Sequence, residues 1–97
     1  MSLQQIESFV AIAESGSVTE AALRLRIAQP AVSRQIRLLE SELGVQLFGR
    51  RAHGMELTSA GRAAFEHARD VLAAVRKIQS VHQIAPHATA DSSSGAR

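Results

Sequence analysis

Apolar side chains recur along this chain at helical spacing in four blocks, interrupted by two short runs that read as strands. Leu3, Ile6, Phe9, Val10 and Ala13 form one helical stripe over residues 2–15, and Gly16 is placed to end it. Ser17, with Glu20 three residues on, has the pattern of a capping box. It opens a short helix, about Val18 to Leu25, that turns Ala21, Ala22 and Leu25 inward. Arg26-Ile27-Ala28-Gln29 makes a tight connection to a third helix, in which Val32, Ile36, Leu39 and Leu43 share one face. Pro30 suits the first turn of that helix and Gly44 can supply the left-handed residue that closes it. Val45-Gln46-Leu47-Phe48 and Met55-Glu56-Leu57 then read as the strands of a small hairpin, with Gly49 to Gly54 as its loop.

Thr58 or Ser59 can cap a last helix that the pattern predicts to run unbroken to Ala85, where Pro86 stops it. At 1.5 Å per residue such a helix is about 40 Å long. Ala64, Ala68, Val71, Val75, Ile78, His82 and Ala85 alternate steps of four and three, the seam of a coiled coil, widened in its first half by Phe65 and Leu72. A stripe this long exceeds what a small domain covers, so a second copy of the same helix is the expected cover. Residues 86–97 hold Pro, Thr, Ala, a triple Ser and Gly and read as a flexible tail.

Short helix, tight turn and a second helix, followed by a hairpin, make a mainly α winged helix-turn-helix with a three-helix core. The outer face of the third helix gives this layout its chemistry. Arg34, Arg37 and Ser41 lie opposite the apolar stripe, with Ser33 at the edge and Gln29 at the start. Polar and basic groups near the beginning of an exposed helix suit the DNA major groove. Arg50, Arg51 and His53 stand at or near the hairpin tip, where they suit phosphate or the minor groove.

The charge distribution agrees. The net charge of +2 hides a segregated chain: residues 1–23 carry three Glu and no cation, and residues 24–37 carry four Arg and no acid. Ten of the eleven cations are Arg, the side chain that pairs bidentately with phosphate or guanine. Two surface arginines on a helix are commonly nothing more than solvated charge. Here, however, Glu40 and Glu42 occupy the last turns and the arginines the earlier ones, against the helix dipole, which costs at most about 1 kcal/mol per charge.

Composition narrows the alternatives. The 97 residues suit one domain, and with 45% apolar but only 3% aromatic residues the core is built from Leu, Ile, Val and Ala. The absence of cysteine removes disulfides and thiolate metal sites, and no run approaches the length of a membrane span, so a soluble cytoplasmic protein is expected. The four histidines have no partner at metal-ligand spacing, and no nucleophile–base pair or phosphate loop occurs. No cofactor, metal or enzymatic activity is therefore expected. Three Phe without Tyr or Trp leave little surface for stacking single-stranded bases. A protein-interaction module acting through the long helix is the remaining alternative.

Residues 1–85 resemble the DNA-binding domain and linker helix of LysR-type transcriptional regulators. The resemblance is carried by Phe9-Val10-Ala11-Ile12-Ala13-Glu14-Ser15-Gly16-Ser17, Ala21-Ala22 and Gln29-Pro30-Ala31-Val32-Ser33-Arg34-Gln35-Ile36, then by Leu39-Glu40, Glu42-Leu43-Gly44-Val45, Leu47-Phe48, Leu57-Thr58 and Ala60-Gly61. It implies a winged domain over 1–58 (helix-turn-helix about 18–37, wing about 46–57), a dimerisation helix over 59–85 and a tail over 86–97. It further implies that Gln29, Pro30, Ala31, Ser33 and Arg34 meet bases or phosphates, with Arg37 flanking and Arg50, Arg51 and His53 along the minor groove. The expected partners are double-stranded DNA, at a partly palindromic site, and a second copy of the chain. That copy would pair through Ala64, Phe65, Ala68, Val71, Leu72, Val75, Ile78 and His82. The family's effector-binding domain lies outside this sequence, so no small-molecule effector is expected here. Two positions depart from the family: Ala28, where Ser is usual and could cap the helix, and His53, where many members have Arg.

Overall fold

The computed structural model describes residues 1–51 and 54–84, the side chains of residues 50, 51, 83 and 84 excepted. Five helices and one hairpin follow in the order α1 (Leu3–Ser15), α2 (Val18–Leu25), α3 (Gln29–Leu43), β1 (Phe48–Arg51), β2 (Gly54–Leu57), α4 (Ser59–Gln79) and α5 (Val81–Ile84). Local capping chemistry sets most of these bounds. Ser2 and Gln5 form a reciprocal capping box on α1, Ser17 Oγ accepts from the Glu20 amide on α2, and Thr58 Oγ1 accepts from the Gly61 amide on α4. α3 starts without such help, because Ala28 has no side-chain acceptor. Arg26 closes α2 in the left-handed region at φ 60°, a conformation that costs a non-glycine residue about 1 kcal/mol, and so turns the chain into α3.

The three-helix core is the expected one. Phe9, Val10, Ala11 and Ile12 of α1 meet Ala21 and Ala22 of α2, and Val32, Ile36 and Leu39 of α3, all buried. Phe9 is the hub: its ring lies edge-on to Phe48 at 5.5 Å and to Phe65 at 6.3 Å, tying α1 to the hairpin and to α4. Leu43, expected on the buried face, is instead 41% exposed. It stands on the last turn of α3, beyond the core, on the rim of an apolar surface groove between α1, α3 and α4.

The hairpin differs from its expected bounds. Phe48 pairs with Leu57 and Arg51 with Gly54, so Gly49, Arg50 and Arg51 belong to the first strand, and Val45, Gln46 and Leu47 precede it. The chain from Gln46 to Phe48 is held by side chains from elsewhere. Glu40 Oε2 accepts from the Leu47 amide at 2.7 Å and the Phe48 amide at 3.3 Å, while Thr58 Oγ1 donates to the Gln46 carbonyl at 2.6 Å. Two glycines let the wing and α4 come this close. A Cβ on Gly61 would stand 2.1 Å from the Leu47 carbonyl oxygen. Gly54, at φ 132°, would place one 2.6 Å from the Gly16 carbonyl oxygen, to which the Met55 amide donates.

The last helix is also interrupted. α4 ends at Gln79 and a single residue, Ser80, separates it from the one-turn α5. The Ser80 hydroxyl donates to the Lys77 carbonyl at 3.1 Å, and such local side-chain bonding competes with helical continuation. Ala85 and the expected tail over 86–97 lie outside the described residues.

Candidate nucleic-acid interface

The start of α3 is exposed on its outer side. Gln29, Pro30, Arg34 and Arg37 are exposed and Ala31 and Ser33 half-buried, while Val32 and Ile36 between them anchor the helix in the core. Pro30 sits in the first turn with its ring outward, at a place where a missing amide hydrogen costs nothing. The first turn therefore presents side chains on a backbone that cannot readily shift. Among the described residues, neither Arg34 nor Arg37 has an acidic partner, whereas Arg24 is engaged by Glu14 at 2.7 Å. Unpaired guanidinium groups on a rigid helix keep their hydrogen-bonding capacity for a ligand.

Arg37 and Ser33 do not face the same surroundings as Gln29 and Pro30. With Val18, Gln46, Gly49 and Met55 they line a cleft between α3 and the wing. The backbone of Arg50 and Arg51 continues from this cleft along β1, opposite Met55 and Gly54. The Gly54–Gly16 contact and the Glu40 bridge fix the wing beside this cleft. The side chains of Arg50 and Arg51, and all of His53, lie outside the described residues.

Glu40 explains part of the unfavourable charge order in α3. Its carboxylate is half-buried against two backbone amides, and a charge-assisted hydrogen bond such as the 2.7 Å one to Leu47 contributes about 1.5–3 kcal/mol, more than the dipole term opposes. The acid at this end of the helix builds the wing junction. Sequence reasoning also passed over Thr19, whose Oγ1 accepts from Gln29 Nε2 at 2.5 Å. The two residues lie on different helices, so no local pattern joins them.

The residues expected to pair with a second copy fall on two faces of α4. Ala68 and Leu72 are buried in the protomer, and Phe65 packs on Phe9 with Arg69 over its ring at 5.6 Å. These three belong to the domain core because α4 lies along α1. Val71, Ile78 and His82 point outward, joined by the unexpected Val81, while Ala64 and Val75 are half-buried between the faces. Among the described residues no helix is long and apolar enough to cross a membrane, and no cluster of three potential metal ligands occurs.

Residues 3–62 match the family of bacterial regulatory helix-turn-helix proteins, lysR family. Over 77 residues, 79% of its length, the chain is 46% identical to the HTH-type transcriptional regulator TfdT of Cupriavidus pinatubonensis (strain JMP 134 / LMG 1197), covering 34% of that protein. Over 80 residues, 82% of its length, it is 49% identical to a probable cat1 operon transcriptional activator of Acinetobacter lwoffii, covering 26% of it. The chain thus spans between about a quarter and a third of these curated relatives. Among solved structures, the CbnR_DBD–DNA complex superposes with a TM-score of 0.79 at 39% identity, over 90% of this chain and 100% of that one. The complex of BenM_DBD with catB site 1 DNA gives 0.83 at 38% identity, over 90% and 97%.

Proposed function

The chain belongs to the lysR family of bacterial regulatory helix-turn-helix proteins, and from that premise we propose how its winged helix-turn-helix DNA-binding domain engages DNA. The start of α3 enters the major groove, where Gln29, Pro30, Ala31, Ser33 and Arg34 meet base edges and the nearest phosphates. Arg37, in the cleft beside the wing, takes a flanking phosphate, and Arg50, Arg51 and His53 follow the adjacent minor groove. The observation that carries this reading is the exposed first half of α3, with two arginines unpaired among the described residues on a helix pinned by Val32 and Ile36. Phosphate contacts supply salt-dependent affinity and the few base-edge contacts supply the sequence preference.

Residues 1–58 form the DNA-binding unit in this proposal, and the helical segment over 59–85 joins two copies. Support for the pairing is the outward apolar set Val71, Ile78 and Val81, at 40%, 69% and 53% exposure. Two-fold pairing of this kind presents two α3 helices to successive major grooves and favours a partly palindromic site. The relatives are transcriptional regulators, and the chain's place of action is with bacterial DNA in the cytoplasm. Selection of bound duplexes from a random pool by the purified chain tests the whole proposal. Enrichment of an interrupted inverted repeat is expected; enrichment of no sequence overturns it.

A further inference from the structure

Gln29 is already held in the protein without DNA. Its Nε2 lies 2.5 Å from Oγ1 of Thr19, both residues are exposed, and each stands on a fixed backbone. Gln29 is the first residue of α3 with Pro30 behind it, and Thr19 is in the first turn of α2, which Ser17 caps. We propose that Thr19 is a positioning residue that sets the base preference of the domain through Gln29, holding its amide in the orientation that complements adenine. The inference rests on the proposed role of Gln29 at base edges.

A glutamine amide carries two N–H donors and one carbonyl acceptor. Thr19 takes one donor, which leaves Oε1 and the second N–H for a ligand. In the major groove adenine offers an acceptor at N7 beside a donor at N6, the complement of that pair. Guanine offers two acceptors, N7 and O6, and gives Oε1 no donor to accept from. The reverse orientation of the amide, with Oε1 accepting from the Thr19 hydroxyl, leaves two donors and fits guanine instead. With Nε2 on the Thr19 hydroxyl, as in this structure, the pair that Gln29 leaves free complements adenine, so Thr19 acts on the purine preference without touching either base. A freely turning Gln29 would lack this choice and pay the entropy of ordering its side chain on binding.

The test uses the 97-residue chain and the best duplex selected by it. Gln29→Ala identifies the base pair that Gln29 reads, and affinities are then measured for all four pairs at that position. Thr19→Val, which keeps the shape and removes the hydroxyl, is expected to lower the adenine-over-guanine preference there by about five-fold or more, on the scale of a single base contact. Thr19→Ser is expected to keep it, and the other positions of the half-site keep theirs in both variants. In the DNA-free chain, the side-chain amide NMR signals of Gln29 are expected to move in Thr19→Val and to return in Thr19→Ser. An unchanged preference in Thr19→Val, a uniform loss over all sequences, or guanine at the Gln29 position overturns the inference. A chain that selects no sequence overturns the DNA-reading function instead, and the amide signals still decide whether Thr19 holds Gln29.

Discussion

The beginning of α3 and the far half of α4 are both exposed, yet they are built on opposite principles. At α3 the exposed groups are polar and held in place: Gln29 by its hydrogen bond to Thr19, and Arg34 by Val32 and Ile36, which anchor the helix in the core. Along α4 the first half is anchored by Phe65, Ala68 and Leu72, whereas Ile78 and Val81 stand apolar and uncovered. Polar groups on a rigid frame give discrimination, because a misplaced base leaves a hydrogen bond unmade. Apolar groups at the end of an arm give association, because they lose water when a similar surface meets them. In the proposed function the two regions would divide sequence preference from avidity.

The largest expected effect comes from removing the second region. Val71→Asp combined with Ile78→Asp should convert the chain to a monomer by sedimentation. It should also lower affinity for a duplex with two half-sites by about a hundred-fold, while a single half-site is bound nearly as before. Unfolding temperature should fall only by what the association contributed, since both side chains are exposed in the protomer; a surviving dimer would place the interface elsewhere. Breaking the first region is next. Arg34→Ala should cost roughly 1–3 kcal/mol on the selected duplex and much less on random DNA if the guanidinium reads a base. Equal losses on both would make it a phosphate clamp, and titrating salt shows which holds.

Two smaller effects concern the frame beneath the reading surface. Glu40→Ala leaves the Leu47 and Phe48 amides without their acceptor and should destabilise the domain by about 1–3 kcal/mol in denaturant unfolding. It should also weaken DNA binding by loosening the wing, and unaltered stability would mean that water replaces the carboxylate without cost. Ala28→Ser acts in the other direction. Ala28 already has the extended backbone of a cap, at φ −69° and ψ 145°, so a serine there should stabilise α3 by about 0.5–1 kcal/mol. A rise in the melting temperature of a few degrees is the expected readout.

The sequence by itself determined what depends on near neighbours. The bounds of α2 and α3, the caps at Ser17 and Thr58, and the left-handed Gly44 at φ 72° all follow from residues a few positions apart. So does the apolar stripe of Val32, Ile36 and Leu39, and with it the outward direction of Arg34 and Arg37. The Ser2–Gln5 box has the same local spacing, although sequence reasoning passed over it. Only the tertiary structure decided what depends on chain segments meeting. Periodicity marks which α4 positions are apolar but not which neighbour covers them, and α1 covers Phe65, Ala68 and Leu72. The strand bounds shifted because Glu40 and Thr58 hold the segment before Phe48, and Gly61 is needed only because the Leu47 carbonyl lies against it. The Thr19–Gln29 bond is of the same kind. It spans ten positions and exists because the helix-turn-helix angle brings the first turns of α2 and α3 together.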